Sequence, residues 1–361
     1  MKKKRILVAP LDWGLGHATR CVPIINELLR RNADVIIAAD HRPFELLKKE
    51  FPALEHVRFP GYSVQYDTKG NLLQSILRQL PAIIRGFQTE HRYLEKIINK
   101  HHIDAVISDS RFGAYSPDVY SIFLIHQLHI VLPPSLRWFE HMLQYVIRKQ
   151  CNKFNEVWIP DVAGALNLAG ILSHPPILPK NSFYIGPLTR LKKIEVAKSV
   201  DILVILSGPE PQRTVFEEIL LRQLTQTSYR TVIVRGKTEH NTTIKVTPTL
   251  SMINSLDSNE LSHLIASSKI IVSRPGYSTI MDLSFHGAKA IFVPTPQQTE
   301  QEYLAKELMI KNIAYSETQD TFNLERALHK SVDYTGFVPT DYDLTILQQR
   351  IDNLLHTIEK S

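Results

Sequence analysis

Short, almost wholly apolar runs recur along the chain, and longer stretches with helical spacing lie between them. DILVILS at Asp201–Ser207 and KAIFVP at Lys289–Pro294 are the clearest. A run with no alternating polar position belongs to a strand covered on both faces, hence to a parallel sheet with crossover helices. Such strands alternating with helices predict an α/β fold. A first series is expected at Arg5–Ala9, Asp34–Ala39, Asp104–Asp109, Ser121–Ile125 and Glu156–Pro160. A second is expected at Asp201–Ser207, Arg230–Arg235, Lys269–Ser273 and Lys289–Pro294. Between them, Gly186-Pro187-Leu188-Thr189-Arg190-Leu191-Lys192-Lys193 replaces apolar periodicity with charge, and Gly-Pro punctuates it as a hinge. The expectation is two Rossmann-like doubly wound domains with a cleft between them. They take residues 1–188 and 189–340, and residues 341–361 form a C-terminal helix, from Asp341 to about Glu359, that packs back on the first domain.

Bulk properties narrow the function classes. A length of 361 residues suits about two domains, and 43% hydrophobic with 22% charged residues is ordinary for a globular chain. Cys21 and Cys151 form no spaced pair, so neither a metal nor a redox motif is read from them, and a reducing, cytoplasmic setting is expected. The start, MKKKRILVAP, begins like a signal peptide, but its apolar run is short and Asp12 follows; it reads better as a first buried strand. No run approaches the roughly 18 apolar residues that span a bilayer. The net charge of +6 suits phosphate-bearing substrates or anionic lipid, or simply solubility. No nucleic-acid-binding signature accompanies it.

In open α/β sheets ligands bind beyond the carboxyl ends of the strands, near a topological switch point. Four strand–helix junctions there are equipped for chemistry. The first is Asp12-Trp13-Gly14-Leu15-Gly16-His17-Ala18-Thr19-Arg20. Gly14 and Gly16 permit a tight turn and close backbone approach. Thr19 stands where the dinucleotide fingerprint has its third glycine, and no Gly-Lys-Ser/Thr closes a P-loop. The loop offers His17 at a helix N-terminus, where the dipole disfavours the cation and leaves a neutral base. A plain glycine turn with a histidine beside the cap is the bland alternative.

The second junction is Ser207-Gly208-Pro209-Glu210-Pro211-Gln212-Arg213-Thr214. Its small residues and helix start suit a pyrophosphate, with Arg213 as counter-charge; otherwise it is a βα loop capped by Ser207. The third is Ser273-Arg274-Pro275-Gly276-Tyr277-Ser278-Thr279-Ile280-Met281-Asp282. Here a helix start faces phosphates while Asp282 accepts ribose hydroxyls. Thr279 to Asp282 also reads as a capping box. The fourth runs from Pro294-Thr295-Pro296 through Gln297, Gln298, Thr299, Glu300, Gln301 and Glu302. Its amides and carboxylates can bind sugar hydroxyls, or can form a solvated first turn.

Together these junctions resemble glycosyltransferase family 28, the group containing the MurG-type N-acetylglucosaminyltransferases. Gly14-Leu15-Gly16-His17 is similar to that family's N-terminal glycine loop ending in His. Ser273-Arg274-Pro275-Gly276 with Thr279 and Asp282 resembles its S-R-x-G-x-x-T-x-x-E stretch, and Pro294 to Glu302 its P-x6-Q-Q segment. The likeness covers about residues 5–20 and 201–315. Asp282 stands for Glu, Glu302 for the second Gln, and the Ser207 loop lacks the family's Gly-Gly-Ser-x-Gly form. The resemblance implies the GT-B fold and an inverting, metal-independent transfer of a hexose or N-acetylhexosamine from a UDP-sugar to a glycan or lipid-linked acceptor. No cofactor beyond the UDP-sugar is implied. It further implies His17 near the acceptor nucleophile and Gly14, Gly16, Ser207, Gly208, Arg213, Arg274, Gly276, Tyr277, Ser278, Thr279 and Asp282 around the nucleotide. Gln297, Gln298, Glu300, Gln301 and Glu302 would meet the donor sugar.

On the acceptor side, Asp12, Asp109 and Arg111 lie at strand ends expected to face the cleft, with Ser110 beside them. His126, Gln127 and His129 follow the next strand, with no convincing third metal ligand. Leu72-Leu73, Ile76-Leu77, Leu80, Ile83-Ile84 and Phe87 sit at helical spacing near Arg78, Arg85 and Arg92, interrupted by Pro81. Leu136-Arg137-Trp138-Phe139 to Arg148-Lys149 is similar. Such stripes either face a core or lie on an anionic membrane, at the inner face of which a lipid-linked acceptor would be met. The Gly14 to Arg20 string also resembles nucleotide-sugar hydrolases of this fold. A UDP-sugar epimerase and a non-catalytic nucleotide-sugar-binding subunit remain alternatives, because shared architecture does not fix chemistry.

Overall fold

The computed structural model describes residues 3–61, 72–237, 242–340 and 342–360; the side chains of residues 72–80 and Pro134 lie outside that description. The chain divides into two compact units, Met1–Pro187 with Asp343–Ser361, and Leu188–Tyr342.

The first unit is built on seven strands: β1 (Arg5–Pro10), β2 (Asp34–Ala39), β3 (Glu55–Arg58), β4 (Ala105–Asp109), β5 (Tyr120–Leu124), β6 (Glu156–Ile159) and β7 (Ser182–Tyr184). They lie in the order β3-β2-β1-β4-β5-β6-β7, every pair parallel. Helices α1 (Leu15–Arg30), α2 (His41–Glu50), α3 (Leu72–His101) and α4 (Glu140–Cys151) cover the faces. Leu7, Ala9, Ile36, Ala38 and Val106 of the central strands pack against Leu94, Ile97 and Ile98 of α3. α3 runs through Pro81 without breaking. Pro81 is exposed, so the N–H it lacks costs the helix one backbone bond and no buried partner.

The second unit repeats the plan with β8 (Val200–Ile205), β9 (Thr231–Val234), β10 (Thr243–Lys245), β11 (Leu250–Ile253), β12 (Ser268–Ser273), β13 (Ala290–Phe292) and β14 (Tyr315–Ser316). Their order is β10-β11-β9-β8-β12-β13-β14, parallel except for the β10–β11 edge pair. Its helices are α5 (Gln212–Leu224), α6 (Ser258–Ser267), α7 (Tyr277–His286), α8 (Thr299–Ile310) and α9 (Leu324–Ser331). Phe216, Leu220 and Leu224 of α5 pack on Ile202, Val204 and Ile233, where the apolar runs predicted a two-faced sheet.

The last helix, α10 (Thr345–Glu359), belongs to the first unit. It begins later than the expected Asp341, a residue outside the described ones; the Asp343 carboxylate accepts from Thr345 N at 2.8 Å. Leu347, Ile351, Leu354 and Ile358 are its buried stripe. Arg350 pairs with buried Glu156 and lies 3.7 Å over the Phe183 ring.

In each sheet the chain winds outward in opposite directions from two adjacent central strands, β1 and β4 in one, β8 and β12 in the other. Ligand crevices form at such switch points. At or just beyond the carboxyl ends of these four strands lie His17 in the first turn of α1, Asp109, Ser207 and Arg274.

Candidate active site

The loop after β1 ends at Gly14, the N-cap of α1, which contributes no side-chain cap; no acid occupies the first turn. Gly16 and His17 therefore sit in the first turn, at the positive end of the helix dipole. His17 Nδ1 lies 3.0 Å from Asp109 Oδ1 at the end of β4. Arg20, one turn on, donates from Nε to Asp109 Oδ2 at 2.6 Å and from NH2 to Oδ1. Burial alone would raise the Asp109 carboxyl, but the Arg20 and His17 charges hold it well below the usual carboxylate range.

These contacts assign the His17 tautomer. Ionised Asp109 can only accept, so a nitrogen 3.0 Å away must carry a proton. Arg20 NH2 has two protons, and Asp109 Oδ1 and Ser110 Oγ take them. The Asp109 contact calls for N–H at Nδ1, whereas NH2, which only donates, lies 2.9 Å from the same atom and calls for its lone pair. We take the contact with the ionised carboxylate as the governing one. The lone pair falls on Nε2, on a side chain 20% exposed. Burial, first, and the charges of Arg20 and His126 lower the basicity of His17, while Asp109 pulls the other way; the net direction is down. The result is a neutral base in a fixed orientation, which is what a proton-accepting step requires.

Two sequence expectations on this side change, those for Asp109 and Arg111. Asp109 is fully buried and orients His17 instead of meeting an acceptor. Arg111 is fully buried too: it pairs with Glu90 at 3.0 Å, donates to the carbonyls of Pro10 and Phe59, and ties the loops after β1, β3 and β4 together. The Glu90 carboxyl is nonetheless pushed up to about 7 by burial, against the pull of Arg111. His126 and His129 are directed elsewhere: His126 Nδ1 faces Arg20 NH1 at 2.8 Å, and His129 Nε2 faces Glu140 at 3.2 Å. Asp12 stays at the loop after β1, where its Oδ1 has no hydrogen-bond partner among the described residues.

In the second unit two helix starts that look alike in sequence differ in structure. At α5 the N-cap is Pro211, not Ser207, and the Glu210 carboxylate accepts from Thr214 N and Oγ1 at 3.2 and 2.8 Å. An acid already fills the anion position. Arg213 is buried and spent on Glu210 and Glu217, so it is not a free counter-charge for phosphate. Ser207 and Gly208 remain at the end of β8, with Gly208 at φ +102°.

At α7 the N-cap is Gly276, with no side-chain cap and no acid in the first turn. Tyr277 is buried, while Ser278 and Thr279 are partly exposed in the opening turn. Arg274 lies beneath, fully buried, donating to Val293 O, Pro294 O and Gln212 O, and stacks 4.2 Å from the Phe216 ring. Its acceptors are neutral oxygens, and burial draws its guanidinium down to about 9. Ser273 Oγ, Arg274 Nε and Thr295 Oγ1 are buried polar atoms without partners among the described residues. Asp282 is not a cap: it accepts from Thr189 Oγ1, and its place is well inside α7.

The Pro294–Glu302 loop is partly committed to itself. Gln301 Oε1 accepts from Thr295 N at 2.8 Å and its amide donates to Gln298 Oε1; Glu302 accepts from Gln297 N at 3.1 Å. Gln301 is buried, so it braces the loop instead of facing a sugar, whereas Gln297 is exposed at φ +67° and Glu300 is half-buried.

Sequence reasoning named Arg20 within a string but gave it no role. The i, i+3 spacing of His17 and Arg20 was the available signal, since it sets both on one helix face. Thr189, the partner of Asp282, had no signal beyond lying in the hinge.

Residues 205–335 match the model of the glycosyltransferase family 28 C-terminal domain. The chain is 23% identical over 350 residues to a UDP-N-acetylglucosamine--N-acetylmuramyl-(pentapeptide) pyrophosphoryl-undecaprenol N-acetylglucosamine transferase of Histophilus somni, covering 92% of this chain and 90% of that one. It is 21% identical over 321 residues to an uncharacterised glycosyltransferase of Methanosarcina mazei, covering 82% and 81%. The chain is a GT-B glycosyltransferase similar to family 28. The glycotransferase of kitacinnamycin shares its fold at TM-score 0.61 and 14% identity, over 100% of this chain and 96% of that one. The MurG of Acinetobacter baumannii does so at TM-score 0.51 and 13% identity, over 99% and 98%.

Proposed function

We propose that this glycosyltransferase moves a hexose or N-acetylhexosamine from a UDP-sugar to a hydroxyl of a glycan or lipid-linked acceptor, inverting the anomeric centre without a metal. The observation that carries this reading is the His17–Asp109 pair, with its proton on Nδ1 and its lone pair on Nε2. Nε2 would take the proton of the acceptor hydroxyl as that oxygen bonds to the anomeric carbon. The bond from that carbon to the diphosphate oxygen breaks as the new one forms, and its electrons leave with UDP. Attack opposite the leaving group inverts the centre. Asp109 stabilises the imidazolium that forms, as in other acid–histidine pairs.

Departure of UDP needs positive charge. The open start of α7, with the Arg274 cation under it, supports the diphosphate at Gly276–Thr279, and Asp282 supports the ribose. Exposed Gln297 and half-buried Glu300 are the candidates for sugar hydroxyls. The Histophilus relative's name, with its UDP-N-acetylglucosamine donor and undecaprenol-linked acceptor, supports a UDP-sugar and a lipid-linked acceptor here.

A membrane contact has separate support. No helix among the described residues is long and apolar enough to cross a membrane. Yet α4 buries Ile147 and Cys151 on one side and exposes Met142, Tyr145 and Val146 on the other, continuous with Trp138, 72% exposed. Arg137 and Lys149 flank this face, a pairing suited to anionic lipid. The matching face of α3 up to Leu80, with Arg78, lies outside the described side chains.

Calorimetric titration with UDP, UDP-N-acetylglucosamine, UDP-glucose and GDP, followed by product analysis, tests the reading. Selective binding of UDP with the donor sugar intact until an acceptor is added is the expected outcome. Rapid donor cleavage or isomerisation would instead indicate a hydrolase or an epimerase.

A further inference from the structure

Two buried side chains behind His17 and Asp109 take no part in the steps above. Arg20 is 2% exposed and His126 is 7% exposed. The Arg20 fork grips both oxygens of Asp109, a bidentate geometry that fixes the carboxylate plane. Its NH2 also donates to Ser110 Oγ at 3.0 Å. Its NH1 faces His126 Nδ1 at 2.8 Å, and because an arginine only donates, that nitrogen is the acceptor and the His126 ring proton sits on Nε2. The chain of contacts runs from the loop after β5, through α1, to the end of β4, and back to α1 at His17.

We propose that Arg20 and His126 are positioning residues for the His17 base: His126 sets the plane of the Arg20 guanidinium, Arg20 sets the plane of the Asp109 carboxylate, and Asp109 sets the ring and tautomer of His17. This rests on the reading of His17 as the base. Among the described residues, the groups around the assembly include Asp109 on β4, Arg20 on α1, His126 after β5, Ser110 after β4, and the Cys21 thiol, 3.8 Å from Asp109 Oδ2. Arg20 does two things at once. It orders the acid that holds His17, and its own charge opposes a proton on His17. An arginine there thus gives an oriented base without the strong rise in basicity that a lone buried carboxylate would cause.

The test is NMR of the full-length protein with labelled histidine, reading the His17 titration midpoint and ring tautomer. In Arg20→Gln the opposing charge is gone while Asp109 stays, so the His17 midpoint rises by about one pH unit or more. The acidic limb of the rate profile then moves to higher pH, because less neutral base is present at a given pH. Arg20→Lys keeps the charge without the fork, so its midpoint stays near that of the wild type while the Nδ1–H tautomer loses its dominance. His126→Gln keeps an acceptor for NH1 and keeps the wild-type His17 tautomer; His126→Leu removes it and mixes the tautomers. An unshifted midpoint in a folded Arg20→Gln protein overturns the role of Arg20. Should that variant not fold, an unaltered tautomer in Arg20→Lys overturns it instead. Wild-type tautomers in His126→Leu overturn the role of His126. These signals report the ring whether or not it is the base, so their failure is distinct from failure of the base reading, which turnover of His17→Ala decides.

Discussion

Asp282 is held ready at a position that burial makes uncomfortable for a charge. Burial lifts its carboxyl to about 6, although the Thr189 hydroxyl and the Arg190 charge favour ionisation. A carboxyl raised on folding stabilises the fold below its unfolded value near 3.8, and that contribution is lost as pH rises through about 6. The ribose recognition proposed for Asp282 has the opposite sign, because the ionised form accepts hydroxyls best. UDP binding should therefore weaken by about tenfold between pH 7 and pH 5, while Asp282→Asn should bind weakly and without that slope; calorimetry across the range checks both. At this scale the sequence was legible in residue type more than in role. His17 and Asp282 stand out by their place in a loop motif, yet Asp109 and Arg111, read as acceptor contacts, are buried ties. Glycine shows the same limit. Gly14 and Gly16 mark the motif, but Gly113 is where space is short: a Cβ there would lie 2.3 Å from the Phe87 carbonyl oxygen. Only the packing of α3 over the β4 loop reveals that.

At the scale of elements, apolar runs predicted the central strands, because a strand covered on both faces has no polar alternation to hide it. The edge strands β3, β7, β10 and β14 were missed, and so was β11, which lies between β10 and β9. EHVR and TIK carry little apolar residue, and the exposed pattern of β10 shows why none is needed. The two helix starts of the second unit were indistinguishable in sequence, since Glu210 reaches Thr214 through a loop whose course sequence does not state. That difference is testable. Glu210→Ala should lower stability by about 1 kcal/mol through loss of a helix-start acceptor and leave UDP affinity unchanged. Urea unfolding and UDP titration of the variant read the two effects. A markedly weaker or tighter UDP constant would put the diphosphate at α5 and not at α7.

Over the whole molecule, two sheets with separate cores share one chain, and α10 returns to the unit in which the chain begins. The expected boundary, where charge and Gly-Pro replace periodicity, lies beside the division of the chain at Pro187 and Leu188. The sequence predicts a C-terminal helix from Asp341 that packs back on the first domain, and α10 starts at Thr345 in that unit. Glu156 and Arg350 secure it, and the acid also accepts from Trp158 Nε1 at 2.7 Å and Tyr120 OH at 2.9 Å. Arg350→Met removes one partner of a largely buried pair and should cost the first unit about 3 kcal/mol. Scanning calorimetry should show the transition of that unit moving down, while the transition that UDP raises stays in place.

We propose a division of labour, with the base on the first unit and the nucleotide on the second. The most direct measurement sets His17→Ala beside Asp282→Ala, each assayed for UDP affinity and for transfer to the acceptor that product analysis identifies. His17→Ala should lose at least about a hundredfold in turnover with UDP affinity nearly intact, while Asp282→Ala should lose UDP affinity. Normal turnover in His17→Ala, or an unchanged UDP dissociation constant in a folded Asp282→Ala, would contradict it.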